Sequence, residues 1–297
     1  MLVRAEAWHA ILRAALPGTR VRRRDTARGT MIGVLMSATL PARLGEPARG
    51  MVLARRIGRM RETFPVLIGT LVSQTALNIL ALGLLGVIIV STTDLFHSST
   101  ERLFLVSTAP LVLLVAALLA PSVLRANGRG RVARALDAIH DALERVRMGL
   151  SVFRNPRRGF LAAGAQLSAW GLQLLACWAL FAALGLDHVG IGAAAAVLFA
   201  VNVTAVVPAT PSNIGIFQLA VISVLAGGFD VPKADALAYG VILQAVEIAT
   251  AVALGLPALV REGVSWSDMR LRALQAAPVR LSSRPPSRER APGRVLS

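Results

Sequence analysis

RVRRRDTARGTMIGVLMSATLPARLGEPARGMVLARRIGRMR, residues 20–61, sets an apolar run between two arginine-rich segments, 20–28 and 55–61. Multi-span membrane proteins hold such basic loops on the cytoplasmic side, so both segments belong at one face. The apolar part, 29–42, is too short to cross, since a spanning helix needs about 20 residues. The chain is therefore expected to enter the bilayer and return as a re-entrant hairpin turning at Pro41.

The remainder of the sequence supports a membrane setting. Of the 297 residues, 55% are hydrophobic and mean hydropathy is +0.63, more apolar surface than a soluble domain of this size buries. Charges are almost absent from long stretches, giving expected spans near 64–91, 103–124, 159–186 and 236–260. Segments 125–158 and 261–294 are basic, whereas 92–102, 186–190 and 228–235 are poor in arginine and carry several acids. Sidedness then puts 186–190 and 228–235 outside, with the chain between them broken by Pro208, Pro211 and Asn213. That is a second hairpin, opposite in direction to the first and built either from two short spans or from two half-helices. The expected fold is an all-α integral membrane protein, a multi-span helical bundle with two inverted re-entrant or broken-helix hairpins. Its place is the cytoplasmic (inner) membrane, multi-pass, with the C-terminus cytoplasmic.

The two halves keep one order of landmarks. Trp8 precedes Pro41 by 33 residues and Gln74 follows it by 33; Trp178 precedes Pro208 by 30 and Gln244 follows it by 36. Similar hydropathy with opposite sidedness is how an inverted repeat reads, and paired Gly/Pro-interrupted segments point to a transport site. Shared apolar composition is the other explanation. Val132, Leu136, Ile139, Leu143, Val146 and Leu150 form one apolar stripe, so 129–152 is expected to be a cytoplasmic amphipathic helix, either on the lipid surface or packed on the protein. A transmembrane domain over 1–268 is followed by a basic tail, 269–297, whose Arg, Pro and Ser content predicts disorder.

Composition also excludes functions. Net charge is +16 and every basic residue except Lys233 is arginine, but the charge borders apolar spans, which fits anionic lipid head groups rather than nucleic acid. The lone Cys177 rules out an internal disulfide and a cysteine-based metal cluster, and the four histidines lack ligand spacing. No nucleophile elbow, P-loop or dinucleotide motif appears, and the first residues show no cleavable signal. No cofactor and no metal are expected.

Three groups of residues carry the candidate chemistry. In LPARLGEPAR, 40–49, a charge in hydrocarbon costs roughly 2.5–3.5 kcal/mol, so Arg43 and Glu46 need partners or water. Three residues apart, they pair with each other if the returning segment is helical, and then they pin the hairpin. The functional reading has Arg43 and Arg49 receiving an anionic head group while Glu46 orients one of them, with Pro41 and Gly45 shaping the turn. In VPATPSNIGIFQ, 207–218, Pro208 and Pro211 break the helix and Ser212 is placed to cap a new one, while Gly215 permits close approach. The restarted N-terminus, with Ser212, Asn213 and Gln218, suits a phosphate or carboxylate; a plain turn is the alternative. Finally, Gln74 with Asn78 and Gln244 with Glu247 share helix faces on the spans that follow each hairpin, where the three amides either line the route or make helix-packing hydrogen bonds. Glu247 is the one acid well inside an apolar run and is the candidate proton-linked or cation-pairing group.

LPARLGEPAR, then VPATPSNIGIFQ followed by ALAYGVILQAVEIATAVALG (236–255), resemble the flippase-like transmembrane region of the lysylphosphatidylglycerol synthase family over about residues 1–262. The resemblance implies a multi-helix inner-membrane protein; in bifunctional members this region is associated with moving an aminoacylated phospholipid between leaflets. Pro41, Arg43, Gly45, Glu46 and Arg49 match the first motif, and Pro208, Pro211 and Gly215 the second. Members usually have Gly-Gly where this chain has Ser212-Asn213, and an acid near Gln218, and they begin with one or two spans before the segment around Trp8. The soluble acyltransferase domain of the bifunctional members does not follow. The leading expectation is a non-enzymatic translocator of phospholipid or a lipid-linked anionic substrate. A membrane glycosyl- or acyltransferase using Glu46, or a membrane subunit for a separately encoded lipid-modifying enzyme, are the alternatives.

Overall fold

The first basic segment leads straight into the hairpin that its sequence demands. In the computed structural model, which describes residues 1–39, 45–58, 60–93, 150–204 and 213–262, helix α1 (Leu2–Ala15) precedes α2 (Arg23–Thr39), and α3 (Gly45–Ile57) returns beside α2. At about 1.5 Å per residue, the 17 residues of α2 and 13 of α3 each fall short of the hydrocarbon thickness of about 30 Å. Helix α4 (Met60–Thr92) follows, then a 3₁₀ turn (Leu150–Arg154) and α5 (Pro156–Ala183). Asn155 starts α5 by accepting from Arg158 N, with Pro156 at the first helical position, where the missing N–H costs nothing. Past a short 3₁₀ turn (Asp187–Val189) come α6 (Gly190–Thr204), α7 (Ile216–Gly228) and α8 (Lys233–Arg261). No strand occurs among the described residues, and the chain is an all-α membrane bundle.

Four helical segments among the described residues are long and apolar enough to cross a bilayer: Thr63–Thr92, Pro156–Ala183, Asp187–Thr204 and Lys233–Arg261. Three coincide with expected spans. The fourth is the first arm of the second hairpin, and it is the most enclosed, 56% buried against 28% for each of the others. Ala193–Ala196 explain this, because their small side chains let α4, α5 and α7 pack closely around α6. The expected span at 103–124, the amphipathic helix of 129–152 up to its last turn, and the tail lie outside the described residues, as do Pro41, Arg43, Pro208, Pro211 and Ser212.

Contacts between the halves follow a reciprocal pattern. Helix α2 packs on α8, and α6 packs on α4; α1 lies against α5. Thus each hairpin's first arm rests on the closing helix of the other half. Glycines allow these crossings. A Cβ on Gly255 would stand 2.5 Å from Leu35 Cβ and 2.9 Å from Met31 O, and one on Gly45 would overlap Gly33 O and Ser37 Oγ. Gly240 similarly seats Val221 of α7, and Gly192 seats Thr92 at the end of α4 and Thr93 just past it. Such small-residue contacts replace the hydrophobic drive that lipid removes.

Among the described residues, the basic ends of α2, α3, α5 and α8 are tied together in two groups of contacts. Arg56 at the end of α3 bonds Asp25 of α2 at 2.8 Å and Glu262 after α8 at 2.9 Å, and Arg28 lies 3.6 Å from Glu262. Arg158 at the start of α5 donates to Arg13 O near the end of α1. Helices α4 and α5 run parallel, as Gln74 meets Gln166 while Asn78, further along α4, meets both Gln166 and Trp170, further along α5, so their starts share that end.

Candidate functional site

Described residues that flank both helix breaks line one cavity of about 540 Å³. Ser37 and Ala38 reach it from the end of α2, just before the first turn; Asn202 and Asn213 reach it from either side of the second. Gln244, Glu247 and Thr250 of α8, Gln173 and Cys177 of α5, Thr30 of α2 and Arg4 of α1 add to its polar wall. Glu247 sits at the midpoint of the 29-residue α8 and is accessible from this space. Arg4 Nη2 donates to Gln173 Oε1 at 3.0 Å, an orienting contact between α1 and α5. Leu172 and Val246 line the cavity and are themselves exposed, so the cavity is open on their side.

The second break is held by one amide. The restarted helix begins at Ile216, with Gly215 as its cap, rather than after the expected Ser212. The physical reason is backbone conformation: Asn213 (φ 54°) and Gly215 (φ 90°) are left-handed, which delays the helix by three residues. Gln218 Oε1 then accepts from Gly215 N at 2.7 Å, satisfying an otherwise unpaired N–H at the helix start. The same side chain donates through Nε2 to Gln244 Oε1 at 2.5 Å, tying α7 to α8. Gln218 and Gln244 therefore form one unit at the cavity's edge, with Gln244 itself on the wall.

Other expected site residues lie elsewhere. Arg49 is 5% exposed in the α1–α3 interface: its guanidinium stacks 4.7 Å from the Trp8 ring centroid and donates to Glu46 Oε2. Glu46 thus orients Arg49, one of the two pairings expected, but neither lines the cavity. Its Nε has no hydrogen-bond partner among the described residues. Gln74 is sealed between α4 and α5, donating to Gln166 Oε1 at 3.2 Å, while Gln166 Nε2 (2.6 Å) and Trp170 Nε1 (3.1 Å) both donate to Asn78 Oδ1. Trp8 Nε1 donates to Thr70 Oγ1 at 3.0 Å, completing a buried polar layer in the first half. Trp8 is fully buried whereas Trp178, its counterpart by spacing, is 46% exposed, so that pair is not matched in environment.

Arg4, Gln173, Asn202 and Ser37 are absent from the sequence-based site. Arg4 was visible as a charge breaking the initial apolar run, and Gln166 and Gln173, seven residues apart, as amides on one face of a span. No described group of histidine, cysteine and acids is arranged to hold a metal.

Comparison with curated proteins and with solved structures gives no significant match. A family profile described as "Lysylphosphatidylglycerol synthase TM region" matches residues 1–255, which include α1 to α7 and most of α8. The chain is therefore a membrane protein that belongs to the Lysylphosphatidylglycerol synthase TM region family.

Proposed function

We propose that the chain binds a phospholipid, or a lipid-linked anionic molecule, by its head group and carries it across the cytoplasmic membrane, without catalysing a covalent step. The observation that carries this reading is that residues flanking both helix breaks line one cavity together with Arg4 and Glu247. Charged side chains at this depth are expensive unless they serve a pathway, and Glu247 stands midway along a crossing helix. The exposed apolar Leu172 and Val246 on the cavity wall suit acyl chains that stay in hydrocarbon while the head group enters. The reciprocal packing of α2 on α8 and α6 on α4 supports an inverted repeat, the architecture in which two similar halves rock about a central site. Ties between the basic ends of α2, α3 and α8 support a cytoplasmic placement for those ends and for the C-terminus. The transferase alternative used Glu46 as its acid, and Glu46 is engaged by Arg49 outside the cavity.

The test is transbilayer movement of a fluorescent phospholipid in vesicles containing the purified protein. Wild type should accelerate exchange between leaflets, and Glu247→Gln should slow it by roughly tenfold or more, the loss of one interaction worth about 1.4 kcal/mol. Exchange no faster than in protein-free vesicles would overturn the reading, and a wild-type rate for Glu247→Gln would overturn the site.

A further inference from the structure

Four arginines gather where α5 begins. Arg154 closes the 3₁₀ turn, Arg157 and Arg158 stand in the first turn of α5, and Arg158 donates to Arg13 O near the end of α1. Val152, fully buried with Ile11 of α1 and Ala162 of α5, clamps the turn between those helices, so the four arginines share one corner of the bundle. No ion pair joins any of them to a carboxylate among the described residues, because Glu6, Asp25 and Glu262 are taken by Arg23, Arg28 and Arg56. We propose that this corner binds the phosphate of an anionic phospholipid from the surrounding leaflet, with an acyl chain laid on Phe160 and Leu161. The site is separate from the cavity and does not rest on the translocation reading.

Depth and face carry the argument. The 28 residues of α5 extend about 42 Å at about 1.5 Å per residue, which matches the full bilayer with its head groups, about 40–45 Å, rather than the hydrocarbon of about 30 Å. The surplus leaves about 6 Å of helix in each head-group layer, which at this end is the first turn. Arg157 and Arg158 therefore stand level with lipid phosphates, and Phe160 and Leu161 lie at the edge of the hydrocarbon. Residues three and four apart share a helix face, so Arg157 stands over Phe160 and Leu161. All three are exposed, the two apolar ones by 80% and 62%. A guanidinium offers several N–H donors in a plane that match phosphate oxygens. Four like charges without an acid repel one another, and an anionic head group relieves this where a zwitterionic one brings its own ammonium. A soluble anion would answer the charges and leave the apolar pair uncovered; a phospholipid answers both.

The experiment counts bound lipids by native mass spectrometry on purified full-length protein in neutral detergent, with phosphatidylglycerol or phosphatidylcholine added. Wild type should bind phosphatidylglycerol roughly tenfold more tightly than phosphatidylcholine, and soluble glycerophosphoglycerol should compete poorly. Arg154→Gln/Arg157→Gln should lower phosphatidylglycerol affinity by roughly tenfold or more and leave phosphatidylcholine unchanged. Phe160→Ser keeps every charge and should weaken phosphatidylglycerol by roughly threefold or more. Arg24→Gln removes an equal charge from the start of α2, where the half-buried Ala27 and Arg28 follow on its face, and should change affinity by less than about twofold. Without lipid, the double variant should melt no lower than wild type, since it relieves repulsion and breaks no ion pair. Equal affinity for the two lipids, equal losses in the double variant and Arg24→Gln, full competition by the soluble head group, or a double variant that melts below wild type without lipid would overturn the site. None of these readouts involves transbilayer movement, so the translocation reading stands or falls separately.

Discussion

Gln166 illustrates how single residues are used twice in this bundle. Its carbonyl accepts from Gln74 and its amide donates to Asn78, linking α4 to α5 where no water competes. Interhelical hydrogen bonds in membranes average about 0.6 kcal/mol and reach about 1.7 kcal/mol. Gln166→Leu breaks both and should lower stability by about 1–2 kcal/mol in detergent unfolding, while leaving lipid movement between leaflets intact because neither amide touches the cavity. Trp8 acts similarly in the first half. Trp8→Phe keeps a ring under Arg49 and loses the bond to Thr70, at a cost near 1 kcal/mol. Trp8→Ala also vacates a fully buried site and should cost about 3–5 kcal/mol, measured the same way.

Helix crossings are decided by glycines that permit no side chain. Gly45→Val sets its branched side chain against the Gly33 carbonyl and Ser37, and Gly255→Val against Leu35 and the Met31 carbonyl. Backbone atoms cannot move aside as a flexible side chain does, so each variant should splay α2 from its partner and reduce recovery of monodisperse protein on size exclusion. Gly83→Ala is the control, since a Cβ there meets nothing within 4 Å. Its melting temperature should be unchanged or slightly raised, as alanine favours a helix interior by up to about 1 kcal/mol over glycine.

Across the whole molecule, the ion cluster of Arg28, Arg56, Asp25 and Glu262 closes the basic end by joining α2, α3 and the end of α8. Hydrogen bonding to Glu262 holds the Arg56 guanidinium above its ordinary pKa, with partial burial opposing and the Glu262 and Asp25 charges assisting. A raised basic pKa contributes stability that is present below the ordinary value and is lost only on rising through the folded one. Alkaline buffers up to about pH 10 should therefore leave this arginine's contribution in place, that value lying well below the arginine range. High salt should weaken the exposed part of the cluster, and Arg56→Gln should remove that salt response in a melting-temperature series.

Charge and hydropathy alone determined that the chain is a helical membrane bundle with two interrupted hairpins, because lipid forbids unpaired backbone and basic loops fix sides. They also singled out Glu247, a carboxylate too costly to sit in hydrocarbon without purpose. Only the tertiary structure decided which polar residues share a space. Arg4 is distant from Glu247 in sequence and shares a cavity wall with it because α1 packs on α5, whose Gln173 and Cys177 line the same space. Arg49 and Gln74, equally polar and equally intramembrane on paper, were instead consumed by partners within the helix interfaces. Periodicity tells which face of a helix is polar; packing alone tells what that face meets.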